Sequence, residues 1–296
     1  MKKKILNIKP QTSNLAIDTA VIPIAGLGTR FLPLSKIIPK ELFPLGSKPI
    51  LQYVVEEAIG AGVKRIVFVI SPKKIDIFKK YILNYFRKDK ELISFLKKRK
   101  KEKELSIINN IPNIKYDYVI QKEPRGDGDA ILKAEKKLGE KPFLVLFGDD
   151  ISLSFHPKKS GEGLISEGMA SEIVRVYKKT KSPVLCLYKM KKEKLEGYGV
   201  PRVIENKGIY EIKDIAEKPE PSKAPSNFAL VGKYVLTNEV LKYLKKVKLQ
   251  NGEIILVNAL RDYLRDGKKI FGIATKSKWI ECGTKEKWIE NFKYFV

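Results

Sequence analysis

The stretch TAVIPIAGLGTRFLPLSKIIPKELFP, residues 19–44, decides the fold. Its first part, TAVIPIAG, is an apolar run that ends in glycine, the pattern of a strand buried on both faces that empties into a loop. Working outward, Pro49–Gly60 sets Ile50, Leu51, Val54, Val55, Ala58 and Ile59 at helical spacing. RIVFVI (Arg65–Ile70) reads as a second buried strand, and PFLVLFGDD (Pro142–Asp150) as another that ends in carboxylates. Strand–helix–strand order with uniformly apolar strands predicts an α/β, Rossmann-like chain: a mixed, mainly parallel sheet flanked by helices. Such sheets bind ligands beyond the carboxyl ends of their strands. The glycine loop and the Asp149–Asp150 pair both fall there.

The remaining chain is placed around that frame. Residues from about 73 to 113 form a lysine- and glutamate-rich helical insertion with Phe78, Ile82, Phe86, Leu92, Phe95 and Leu96 on its apolar side. Residues 170–240 read as β-structure, from SPVLCLYKM, GVPRVIEN, GIYEIKDIAEKP and FALVGKYVLT, with turn signals at Asn206-Lys207-Gly208 and Pro219–Pro225. Residues 238–266 return to helix, and KIFGIATK is expected as the final strand. No repeat or low-complexity linker interrupts the pattern. Residues 18–296 are therefore expected to form a single domain after a flexible tail, residues 1–17.

Composition excludes several classes. No apolar run reaches the length of about 18 residues that a membrane helix needs. The basic start MKKKILNIKP lacks the apolar core of a secretion signal. Two cysteines, Cys186 and Cys282, sit in apolar surroundings without ligand spacing and are expected as buried thiols in a reducing, cytoplasmic setting. His156 is the single histidine of the chain, which argues against His-based nucleophilic hydrolysis and a His-rich zinc site. The net charge of +25 is spread along the chain, and its densest run, KKRKKEK at Lys97–Lys103, has no interleaved aromatics for base stacking. That favours a solvated helix face over a specific nucleic-acid surface.

Ala25–Pro44 is the most informative segment. Gly26 and Gly28 permit close backbone approach and offer amide donors to phosphate oxygens, Thr29 adds a hydroxyl, Arg30 a forked cation, and Lys40 a compact charge. The loop is neither GxxxxGK[ST] nor GxGxxG, since Pro33 stands where a helix-opening glycine would be.

The full segment, AGLGTR…P…SK..PKEL.P, closely resembles the nucleotidyltransferase signature G-x-G-T-R-x-x-P with a downstream P-K-E. In this form it is similar to the bacterial-type UTP–glucose-1-phosphate uridylyltransferases. Similarity continues through KPILQYVVEEAIGAGVKRIVFVI, QKEPRGDGDAI, PFLVLFGDDI, GYGV, EKPEPSKAPSNFALVGKYVLT and NGEIILVNAL, covering roughly residues 18–294. The resemblance implies a nucleotide-diphospho-sugar transferase fold with a smaller β-rich sugar-binding part at about residues 170–240. It implies a magnesium-dependent transfer of UMP from UTP to glucose 1-phosphate, giving UDP-glucose and pyrophosphate, by a homodimer or homotetramer.

Carried across position by position, the resemblance implies that Ala25, Gly26, Leu27, Gly28 and Thr29 hold the nucleotide. Arg30 would meet the leaving pyrophosphate and Lys40 the α-phosphate. Glu41 and Gln121 would face the uracil, which Gly128 would touch through its backbone. Gly199, Glu217, Asn227 and Leu230 would line the sugar pocket, with Lys218 on the sugar phosphate. Asp149 and Glu281 would bind Mg2+. Asp149 has independent support, because a carboxylate just past a buried apolar strand suits a hard cation.

Three departures stand out. Gly126-Asp127-Gly128-Asp129-Ala130 replaces a GLGHA-like run, setting acids near the expected base. Glu281 stands where the family has the shorter aspartate. Val257-Asn258 replaces a threonine–aspartate pair. The first two leave open the same chemistry with dTTP or another sugar 1-phosphate, and a nucleotide-sugar-binding regulator without turnover; the third is given no chemical role.

Overall fold

The computed structural model describes residues 16–153 and 168–295. His156 lies outside them, as does nearly all of the expected tail. Ile17, expected in that tail, is buried in the core. The strands are β1 (Thr19–Pro23), a short hairpin of β2 (Pro44–Leu45) and β3 (Lys48–Pro49), β4 (Arg65–Ile70), β5 (Lys115–Ile120), β6 (Phe143–Leu146), β7 (Asp150–Leu153), β8 (Val184–Lys189), β9 (Gly199–Asn206), β10 (Ile209–Glu217), β11 (Phe228–Leu236), β12 (Ile270–Ala274) and β13 (Lys278–Glu281). Nine of them form one sheet in the order β5-β4-β1-β6-β11-β8-β12-β10-β9, and β13 pairs with β7 in a separate ladder.

The half of the sheet that carries the glycine loop is parallel: β4 with β5, and β1 with both β4 and β6. β11 then enters antiparallel to β6 and β8, and β10 antiparallel to β9 and β12. Successive side chains of a strand point to opposite faces. Ile22, Ile66 and Phe68 accordingly pack on one face with the helices Ile50–Gly60 and Met169–Thr180. Val21, Val67, Val69 and Val145 pack on the other with the helices Gly126–Lys133, Asn238–Leu244 and Leu256–Arg265. The sheet is thus covered on both sides, and its free edge for ligands is the rim where the parallel strands end.

Three local expectations are revised, and one strand, β5, was not foreseen. Met169–Thr180, expected as part of a β-region, is a helix because Met169, Ala170, Ile173, Val174, Val176 and Tyr177 recur at helical spacing and are buried. KYDYVI forms β5 at the sheet edge, where alternation of charged and aromatic residues hides the strand. The helical stretch 238–266 is split, Asn238–Leu244 and Leu256–Arg265, by a turn at Gln250–Glu253. A strand beyond KIFGIATK, β13, carries Glu281. Both cysteines are free and buried.

Candidate active site

The site grows from the loop after β1. Ile24 still donates its N–H to Val69 O at 2.8 Å, and the chain then leaves the sheet. Ala25 is buried, whereas a Cβ on Gly26 would meet nothing within 4 Å, so open space lies over that backbone. Gly28 has a φ of 67°, and a Cβ there would stand 3.1 Å from Ser35 Cβ, so both conformation and space select glycine. Leu27 just before it, and Thr29 and Arg30 on the short turn that follows, are exposed.

A later turn of the same loop, Lys40–Leu42, points both of its polar side chains inward. Lys40 Nζ donates to Asp149 Oδ2. Burial pulls the Lys40 ammonium down, but the carboxylates of Asp149 and Glu41 outweigh it and hold the group above its ordinary value. Burial likewise pushes Asp149 up, and the charge and hydrogen bond of Lys40 hold it below the usual carboxylate range. Glu41 is buried, and Lys74 Nζ reaches its Oε2 at 3.1 Å and Ile24 O at 2.8 Å. The loop, its lysine turn and the end of β4 are thereby tied together.

Asp149 and Asp150 are neighbours with opposite surroundings. Asp150 is turned into the protein, where Oδ2 accepts from Gly232 N at 3.1 Å and Oδ1 from Trp279 Nε1 at 2.7 Å. Burial, and then the adjacent Asp149 charge, push its pKa up to about 7. Lys233 Nζ donates to Asp150 O at 2.7 Å and pairs with Glu57 Oε2 at 2.8 Å, while Glu57 Oε1 accepts from Ala170 N at 2.9 Å. This buried cross-brace fixes the turn that presents Asp149.

The β7–β13 ladder brings in the second carboxylate, with Glu281 opposite Asp150 and Cys282 N donating to Asp149 O at 2.8 Å. Glu281 Oε2 accepts from the Tyr198 hydroxyl and from Lys287 Nζ, the latter at 2.6 Å. A Cβ built on Gly283 would lie 3.3 Å from Glu281 Oε1, 3.4 Å from Asp149 Oδ2 and 3.9 Å from Arg30 Nη1. Two carboxylates and a guanidinium from three distant parts of the chain therefore surround one point.

Of the expected sugar residues, Gly199, Glu217, Lys218 and Leu230 gather where β9 meets β10. Gly199 is paired with Glu217, and a Cβ on Gly199 would stand 3.0 Å from Leu230 Cδ1 and 3.6 Å from Glu217 Oε2. Burial raises the Glu217 pKa; Lys218 opposes it and Asp127 adds to it. Lys218 has a positive φ of 46°, donates its N–H to Tyr198 O at 3.1 Å, and holds its Nζ 3.7 Å from Glu217 Oε1. Asn227 is half-buried, and its carbonyl accepts from Met190 N at 3.0 Å. Tyr198 touches both ends: its carbonyl holds Lys218 and its hydroxyl holds Glu281.

At the expected base end, Gln121 closes β5, with its N–H on Ile70 O at 2.8 Å. Gly128 N donates to Ile254 O at 2.9 Å and to Asp127 Oδ1 at 2.8 Å, so this amide is satisfied within the protein. Asp127 Oδ1 also accepts from Leu256 N at 3.0 Å and so ties two helix starts together. Burial raises its pKa, against the pull of those backbone N–H groups. Tyr198, Lys287, Lys74, Lys233 and Glu57 were not singled out from the sequence. Tyr198 lay inside the quoted motif GYGV, Lys233 inside FALVGKYVLT and Glu57 inside KPILQYVVEEAIGAGVKRIVFVI, but none with a role attached.

Among the described residues no group of three or more His, Cys, Asp or Glu side chains could hold a metal ion. Asp149 and Glu281 offer two carboxylates. Magnesium is commonly held by one or two carboxylates with phosphate oxygens and waters completing its shell, so the donor set fits a metal that arrives with a polyphosphate.

A profile of the family described as nucleotidyl transferase matches residues 19–295. The chain belongs to that family. This nucleotidyl transferase is 31% identical over 271 residues to UTP–glucose-1-phosphate uridylyltransferase 2 of Streptococcus pyogenes serotype M3, covering 91% of the chain and 87% of that protein. It is 35% identical over 272 residues to the UTP–glucose-1-phosphate uridylyltransferase of Bacillus subtilis, covering 91% and 87%. A crystal structure of UDP-glucose pyrophosphorylase complexed with UDP-glucose superposes with a TM-score of 0.80 at 34% identity, covering 95% of this chain and 98% of that one. The nucleotidyl transferase has the mixed α/β fold of these proteins, and its chemistry is nucleotidyl transfer of the UDP-sugar pyrophosphorylase type, in nucleotide-sugar synthesis. No described helix of the nucleotidyl transferase is long and apolar enough to cross a membrane.

Proposed function

We propose that the protein transfers the uridylyl group of UTP to α-D-glucose 1-phosphate, forming UDP-glucose and pyrophosphate. The observation that carries this reading is the convergence of Arg30, Asp149 and Glu281 on one point, joined through Tyr198 to the Gly199–Glu217–Lys218 pocket. One end suits a polyphosphate and the other a sugar phosphate, and the shared tyrosine sets their spacing.

The chemistry needs no protein base. An oxygen of the sugar phosphate, already ionised at neutral pH, attacks the α-phosphorus while the bond to the bridging oxygen of the leaving pyrophosphate breaks in line. What the protein supplies is alignment of two anions and relief of their repulsion. Arg30 binds the departing pyrophosphate. Lys40 exchanges Asp149 for the α-phosphate, and Lys218 swings from Glu217 onto the sugar phosphate. Asp149 and Glu281 would hold Mg2+, which would supply charge neutralisation to the phosphate oxygens. Glu281 is one methylene longer than the family's aspartate, and the bonds from Tyr198 and Lys287 hold its extra reach in place.

The test is pyrophosphate release with four nucleoside triphosphates against several sugar phosphates, with and without magnesium. UTP with glucose 1-phosphate is expected to be fastest. A decisive preference for dTTP or another sugar phosphate would replace the substrate assignment, and no release with any pair would leave a binding protein.

A further inference from the structure

We infer that Asp129 sets base selectivity by locking the Gln121 amide with its oxygen toward the nucleotide base. The inference rests on the reading of this site as a uridylyltransferase site.

Gln121 is buried and its backbone is pinned to Ile70 O. Its side-chain Nε2 lies 2.9 Å from Asp129 Oδ2 and 3.0 Å from Gly126 O. Both partners are acceptors. A flipped amide would point its own oxygen at a carboxylate and a carbonyl, which is repulsive at this distance, so chemistry fixes which end of the amide faces inward. Asp129 is itself held by Lys133 Nζ, 3.1 Å from Oδ1. The Gln121 Oε1 accepts no hydrogen bond among the described residues and is not one of their buried unpartnered atoms.

A fixed acceptor reads one kind of base edge. Uracil and thymine present an imide N–H donor at N3. Cytosine presents a lone pair there. A carbonyl oxygen held in place accepts from the first and repels the second, whereas an amide free to rotate would serve both. Asp129 is a positioning residue in this scheme. It touches no substrate, and it replaces the residue that a GLGHA-like run would put at this place.

The experiment compares steady-state kinetics of the wild type, Asp129→Asn and Asp129→Ala with UTP, dTTP and CTP against glucose 1-phosphate. The UTP-over-CTP preference in kcat/KM is expected to fall about tenfold, the scale of one charge-assisted hydrogen bond. The UTP-over-dTTP ratio is expected to stay within about twofold, since both bases share the imide edge, whereas general damage to the pocket would move both ratios. The isosteric Asn variant carries the test if the Ala variant does not fold. A UTP-over-CTP ratio that does not move, in an enzyme that uses UTP, overturns this inference alone. A wild type that releases no pyrophosphate from UTP overturns it together with the functional reading beneath it.

Discussion

The two ends of the cleft are built differently. At the nucleotide end, Lys40 and Asp149 are in direct contact with side chains only 18% and 24% exposed. At the sugar end, Lys218 is 65% exposed and stands 3.7 Å from a Glu217 that is 27% exposed. The first pair is preassembled on the parallel half of the sheet and braced from beneath by Lys233 and Glu57. The second sits on an antiparallel ribbon at the far side, its lysine on a strained backbone and mostly in water. A screened pair at that separation is worth little by itself, so Lys218 gives up little when it turns to a phosphate. The contrast suits an order in which the triphosphate meets a rigid cradle and the sugar phosphate meets a yielding one.

The comparison can be broken most severely at the nucleotide end. Asp149→Asn removes one of the two carboxylates and the partner of Lys40, and pyrophosphate release is expected to fall on the order of 10³-fold, read in a coupled phosphate assay. Lys233→Met attacks the brace rather than the cradle. Leaving Glu57 buried without its cation is expected to cost about 3 kcal/mol of stability, measured by urea unfolding with and without UTP. Lys218→Ala tests the yielding end. Turnover with glucose 1-phosphate is expected to drop about 10²-fold while a calorimetric titration of UTP is unaltered, and an equal loss of UTP affinity would erase the distinction between the ends. Glu217→Gln sharpens it most finely. Burial raises the Glu217 pKa, so on acidification its carboxylate is lost at a higher pH than an ordinary glutamate. The KM for the sugar phosphate is expected to rise with falling pH more steeply in the wild type than in the variant. The variant itself is expected to lose about tenfold or less in kcat/KM.

Much of the nucleotide end was legible in the sequence because its chemistry is local. RIVFVI forms β4 with the expected bounds, and the glycine loop and Asp149 both sit at the rim where apolar strands end. The braces were hidden because they are remote. Lys233 lies inside the apolar run FALVGKYVL, and its acid, Glu57, belongs to a helix at the other end of the chain. Lys287 and Tyr198, 89 residues apart, bond each other and Glu281, which β13 delivers. The acids of GDGDA raised doubt about the base pocket as letters. In the folded chain Asp127 is turned onto backbone N–H groups and Asp129 onto Gln121, which the sequence had no means to show.

The pairing of β13 with β7 has a consequence for the life of the polypeptide. Translation yields the glycine loop, Asp149 and the whole nine-stranded sheet before it yields Glu281. A nascent chain still tethered to the ribosome short of β13 holds one carboxylate facing an empty groove. On the proposed chemistry such a chain is silent, and activity switches on only when that late strand zips into place.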